Sequence, residues 1–286
     1  MTSLLATINR ICTRAFDAVF GVMESWPGWL SLTILAGVTG ILALVAYKYT
    51  SNQAAIGRVR DDVKAHLLAL KLFKDEISVT FRSIGGLFWA ACRLLGLSIP
   101  PFLVMLVPMV LLLVQMAMRY EWRPLQQGES TVLVAHLKAG TPQNIAPLTL
   151  EAPGLTVEAG KNRSYLAPTK EYPERNSVEW RIRARDTGRH DVQIRVGNET
   201  AHKIIDVAAN RYAGVNPLRP GGDLEDVLFY PRESPAAAGA VIQKIELQYP
   251  ENVTPLFGWE IHWVISYFIL SMIIALAVKP ILKVKI

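Results

Sequence analysis

Cysteine is nearly absent from the 286 residues, with Cys12 and Cys92 the only two. Two isolated cysteines supply neither a disulfide framework nor a metal cluster. Catalytic signatures are missing as well: there is no G-x-S-x-G, no H-E-x-x-H and no phosphate-binding glycine loop. The five histidines, His66, His136, His190, His202 and His262, are scattered along the chain. An enzyme, a bound metal and a cofactor are therefore not expected. Glu260 and His262 lie two apart, and on a helix such residues point roughly 200° from each other, so they do not share a metal.

Charge is also scarce. Only 19% of the residues are charged and the mean hydropathy is +0.26, too apolar for an ordinary soluble protein. Three long runs account for this. Trp29 to Tyr47 and Leu94 to Met118 carry no charge, and Ile261 to Val278 has no Asp, Glu, Lys or Arg and a single histidine, His262. Each is near the roughly 20 residues a helix needs to cross a bilayer, where backbone groups must be satisfied internally. The expected spans are residues 29–47, 97–118 and 259–279, and the lipid bilayer is the first partner.

The net charge of +6 does not point to nucleic acid, because its distribution is that of a membrane protein. From Lys48 to Arg93 eight basic residues stand against four acids, and Lys279, Lys283 and Lys285 close the chain without an acid. Basic residues near membrane ends mark the cytoplasmic side. The expected orientation in a plasma (inner) membrane is an outer N-terminus, residues 48–96 inside, 119–258 outside, and the basic tail 280–286 inside. Arg10, Arg14 and Asp17 interrupt the first apolar stretch, so the N-terminus lacks a clean signal peptide and the first span is expected to be retained.

Between the spans the periodicity changes. In residues 1–28, Leu4, Leu5, Ile8, Ile11, Cys12, Val19 and Phe20 recur at helical spacing, which predicts an amphipathic helix in the outer interface. Ile56, Val59, Val63, Leu67 and Leu70 do the same, with Arg58, Arg60, Lys64 and Lys71 around them, predicting a cytoplasmic helix that a second helix from Ser78 to Leu95 joins as a hairpin. Period-two alternation begins beyond the second run. Val178, Trp180, Ile182 and Ala184, and after a turn Val192, Ile194 and Val196, predict two antiparallel strands with one buried face. Thr131–Lys138, Leu148–Ala152, Leu155–Glu158, Ile204–Val207 and Ile245–Tyr249 add short strands, enough for a small sandwich. Residues 208–240 form a Pro- and Gly-rich excursion with a short helix expected at Leu224–Phe229.

The turn Asp186-Thr-Gly188-Arg-His190 resembles the D-x-G-x-Y corner of immunoglobulin-like domains, with His190 in the tyrosine position. That resemblance implies an immunoglobulin-like sandwich, so the expected fold is an all-β, extracytoplasmic domain of that kind joined to a membrane α-helical part of three spans.

A second resemblance lies in the order of parts. A charged cytoplasmic segment from Lys48 to Asp75 precedes a second span opening Pro101-Phe-Leu-Val-Met-Leu-Val-Pro108-Met109, and Gly258-Trp-Glu-Ile-His-Trp263 leads the last span to Lys279. This is similar to the YidC/Oxa/Alb membrane insertase superfamily, in particular its minimal archaeal branch. The resemblance implies an insertase-like biogenesis factor for nascent hydrophobic clients, without covalent catalysis. Client-groove candidates are Met105, Met109, Gln115 and Met116; candidates for a client-capturing helix are Arg58, Arg60, Lys64, Leu67 and Lys71. Thioethers are flexible and polarizable, which suits a surface that accepts unlike apolar segments. Two departures stand beside it: Trp29 to Tyr47 lacks the arginine of many bacterial members, and the β domain follows the second span instead of the first. The alternative is a non-catalytic scaffold whose helices anchor an interaction domain for an extracytoplasmic protein partner.

The orientation has a direct check. A membrane-impermeant maleimide is expected to leave Cys92 unmodified in intact cells and to modify it once the membrane is opened. Modification of Cys92 in intact cells overturns the arrangement.

Overall fold

The computed structural model describes residues 2–73, 76–141, 148–166, 175–208, 212–256, 258–282 and 284. Lys74, Asp75, Lys283 and Lys285 of the expected cytoplasmic segments lie outside the described residues. Two compact units make up the chain: residues 1–26 with 111–254, and residues 27–110 with 255–286.

The second unit is helical. Helix α2 (Gly28–Thr50) follows Pro27, which has no N–H to leave unsatisfied at a helix start. Helix α3 (Gln53–Leu72) begins where the Asn52 side chain accepts a bond from the Ala55 N–H at 3.0 Å. Helix α4 (Ile77–Tyr120) is one element of 44 residues. The helix expected from Ser78 to Leu95 and the second span are thus continuous, and Pro100, Pro101 and Pro108 fall inside it. Each proline removes one bond to the carbonyl four residues earlier, yet the flanking residues hold the helix together. Helix α6 (Trp263–Leu282) starts four residues later than the expected span. The three helices α2, α4 and α6 are long and apolar enough to cross a membrane.

Small residues set the packing of α2 on α6. A Cβ on Gly40 would lie 2.8 Å from the Ser271 carbonyl oxygen, and one on Gly37 would lie 3.1 Å from Ile274 Cδ1. Close backbone approach through glycine is how helices associate where lipid removes the hydrophobic driving force. At the other end the Lys48 ammonium donates to the Leu282 carbonyl at 2.9 Å, satisfying one of the carbonyls a helix end leaves open.

The first unit carries all eight strands found among the described residues. β1 (Ser130–Leu137), β2 (Thr149–Glu151), β3 (Leu155–Leu166), β4 (Arg175–Ala184), β5 (Gly188–Val196), β6 (Glu199–Val207), β7 (Leu218–Arg219) and β8 (Ile242–Leu247) form two antiparallel sheets. Their orders are β3-β4-β1-β8-β7 and β2-β5-β6. Leu133, Ala135, Trp180 and Ile182 from one sheet share a single apolar core with Val192, Ile194 and Ile205 from the other. Helix α5 (Leu224–Phe229) has the bounds its sequence predicts.

One pairing differs from the sequence reading. β4 and β5 are not a hairpin: β4 pairs with β1 and β3, whereas β5 pairs with β2 and β6. Alternation reports that one face of a strand is buried, not which strand is its neighbour. The turn from Arg185 to Gly188 therefore carries the chain from one sheet to the other. The His190 ring Nε2–H donates to the Asp186 carbonyl at 2.8 Å across this corner, and the ring packs over Gly154.

Gly154 has φ +76, and a Cβ there would collide with the His190 ring. Gly154→Ala is expected to destabilise the β-bearing unit by about 1–3 kcal/mol. Thermal unfolding of the purified chain, compared with Gly128→Ala where no neighbour crowds the site, separates the steric cost from the backbone cost.

Candidate functional site

The helical unit contains an apolar cavity of about 230 Å³. Thr39, Gly40, Ala43, Leu44 and Tyr47 of α2 line one side, Tyr267, Ser271, Met272 and Ala275 of α6 another, and Met105 and Met109 of α4 the third. Its origin is the uneven packing of the helices. Gly40 draws α2 and α6 together, while α4 keeps most of its apolar surface uncovered, with only 11% of its most hydrophobic stretch buried.

Three hydroxyls in this cavity, those of Thr39, Tyr267 and Ser271, are already engaged. Thr39 has one hydroxyl proton, which it donates to the Leu35 carbonyl at 2.6 Å; the Tyr267 hydroxyl, 2.9 Å away, therefore donates to Thr39. Ser271 donates to the Phe268 carbonyl. No charged residue lines the cavity. Such a lining suits an aliphatic or aromatic side chain or an acyl chain. Among the described residues no group of three or more His, Cys, Asp or Glu is placed to hold a metal.

Of the four groove candidates, Met105 and Met109 lie on this cavity and Gln115 and Met116 do not. Gln115 is 1% exposed and Met116 fully buried, both within the other unit. Gln115 Nε2 donates to Thr13 Oγ1 at 3.0 Å, and the Arg119 guanidinium pairs with Asp17. Helix α1 (Thr2–Val22) thus meets the last turns of α4 through a two-rung ladder, Thr13 and Asp17 facing Gln115 and Arg119. Phe16 and Phe20 cover the guanidinium, their ring centroids 5.8 and 4.9 Å from its central carbon. Asn9 Nδ2 donates to the Val227 carbonyl of α5 at 3.0 Å. The expected interfacial helix is therefore a packed part of the β-bearing unit, although Ile11, Val19 and Val22 remain exposed. The signal for this was present: Thr13/Asp17 and Gln115/Arg119 share a four-residue spacing and have complementary chemistry.

In α3, the expected capture helix, Arg58, Lys64 and Lys71 are exposed and Arg60 is half-buried. Leu67 departs from its expected burial: Ile56 and Val59 are buried, but Leu67 is 53% exposed. Lys64 bonds Asp61 at 3.1 Å on the same helix. The ion pair Arg93–Asp62 and the packing of His66 on Gly86 join α3 to the first part of α4. Leu67, Leu68, Leu72, Phe73, Ile77, Phe81, Phe88 and Trp89 are all exposed on this hairpin. Apolar surface uncovered in such quantity marks a membrane or a binding partner.

Compared with known proteins, the chain matches no family model, no curated protein and no solved structure.

Removing the Asp17 carboxylate leaves Arg119 buried beside neutral rings. Breaking a fully buried pair costs about 3–5 kcal/mol; because Asp17 is 44% exposed, Asp17→Asn is expected to cost about 1–3 kcal/mol. Limited proteolysis should release α1 faster from this variant than from the wild type, and equal rates would show that the ladder does not hold the helix.

Proposed function

We propose that this chain is an insertase-like factor that assists insertion or folding of hydrophobic client segments in a membrane. The observation that carries the reading is the apolar cavity bearing Met105, Met109 and Met272, with three helices around it and the α4 side uncovered. Methionine adapts its shape to unlike apolar partners, and an uncovered side lets a client arrive from lipid. The apolar and basic hairpin of α3 and early α4 is the capturing element, with Arg58, Arg60, Lys64, Leu67 and Lys71 meeting a client on the cytoplasmic side. On this reading the order of parts is that of the minimal YidC/Oxa/Alb architecture. The β-bearing unit is an outer, immunoglobulin-like addition, supported by the sheet-crossing corner at Asp186–His190. The work involved is transfer of apolar side chains between environments, which needs no covalent step.

A second reading rests on the division into two units. The β-bearing unit has a core of its own and takes α1 with it, as suits a module displayed on an anchor for an extracytoplasmic protein partner.

Photo-crosslinking during synthesis distinguishes the two. A crosslinker at Met105 or Met109 is expected to trap nascent membrane proteins, and one at Val107, which is 65% exposed, mainly lipid. Replacing Arg58, Lys64 and Lys71 together by alanine should lower the yield severalfold. Lipid adducts alone at all three positions would sink the insertase reading and leave the anchored scaffold.

A further inference from the structure

A second cavity, of about 190 Å³, belongs to the β-bearing unit. Arg10, Arg14 and Asp17 of α1, Arg189 of β5, and Arg232 and Glu233 after α5 wall it. Four guanidiniums thus face two carboxylates, and both carboxylates are already engaged. Asp17 pairs with Arg119 and Glu233 with Lys203, two cations with no exposure of their own. Arg189 is held by Asp206 at 3.0 Å. Arg10 and Arg14 are exposed and form no ion pair among the described residues.

Arg232 is the telling side chain. It is nine-tenths buried, its Nη1 makes no hydrogen bond among the described residues, and it stands 3.8 Å from the Asp17 oxygen that Arg119 already claims. Two buried guanidiniums therefore share one half-exposed carboxylate. A buried cation without full compensation is costly, and an anion in the cleft supplies the missing charge.

We propose that this cleft binds a phosphate group, carried by soluble phosphate or by a lipid headgroup. Guanidinium forks match phosphate oxygens in geometry and keep their charge at every physiological pH. The volume is below the roughly 300–1,000 Å³ of sites that enclose a whole drug-sized ligand, so a single anionic group is the fitting occupant and a nucleotide is not. This inference is independent of any client role.

The test uses the full chain in nonionic detergent. Sodium phosphate, against sodium chloride of equal ionic strength, is expected to raise the unfolding midpoint by about 2–4 °C at concentrations well above the Kd. Phosphatidic acid, against diacylglycerol with the same acyl chains, tests the headgroup source. Stabilisation by phosphate alone assigns a soluble ligand, and stabilisation by phosphatidic acid alone assigns a lipid. In either case Arg10→Ala/Arg14→Ala should abolish the shift, while Arg181→Ala/Arg183→Ala on the exposed strand face should keep it. Arg10 and Arg14 are exposed, so the first double variant is expected to fold. No phosphate-specific shift from either source, or a shift that survives Arg10→Ala/Arg14→Ala, overturns the proposal.

Discussion

A guanidinium with no exposure has to find its counter-charge inside the protein, and Arg119 finds it 102 residues earlier, on Asp17. Desolvating either ion costs several kcal/mol, and the pair forms only where geometry repays that cost. That requirement fixes α1. Once Asp17 is aligned with Arg119, Thr13 meets Gln115 one turn away, Phe16 and Phe20 close over the guanidinium, and Asn9 reaches α5. Trp26 then lies where its carbonyl accepts the Tyr212 hydroxyl at 2.9 Å. The start of the chain is thereby committed to a domain whose strands begin only at Ser130.

Polarity is divided between the two units. In the helical unit, the Thr39 and Ser271 hydroxyls are spent on carbonyls of their own helices and the Tyr267 hydroxyl on Thr39, and close helix packing runs through Gly37 and Gly40. In the β-bearing unit, charge is concentrated and buried. Lys203 has no exposure and is held by Glu233 and the Asn216 carbonyl, and burial pushes its ammonium below its usual range while Glu233 opposes that shift. Tyr249 is displaced upward by the same burial, its hydroxyl accepting the Asp206 N–H. A charge network of this kind requires exclusion of water by a closed core, which the two facing sheets supply.

The sequence made the three apolar helices and most strands legible because both signals are local. Charge-free length identifies α2, α4 and α6, and period-two alternation identifies β1, β4 and β5. What was not legible depends on partners. The alternation of β4 and β5 could not say that they join different sheets, and β7, two residues long, has no period at all. The same limit applies to the site: Met105 and Met109 face a cavity, while farther along the same helix Gln115 bonds Thr13 of α1 and Met116 is fully buried. Composition treats these four alike, and only the partner of each helix face separates them. Leu67 shows the reverse case, an apolar residue on the expected stripe that is exposed although Ile56 and Val59 on the same stripe are buried.

The size of the apolar cavity constrains how any client would use it. At about 230 Å³ the cavity is an open-sided recess and not a closed chamber, so a client helix would lie against it and place only some of its side chains inside. The remainder must lie along the uncovered face of α4, where Phe102, Leu103 and Val107 meet it as lipid tails would. Contact of that depth is weak and tolerant of sequence, because each inserted side chain contributes only the difference between lipid and methionine as surroundings. Weakness favours the role proposed: a helper that must release every segment it admits gains nothing from a deep, charged or closely fitted site.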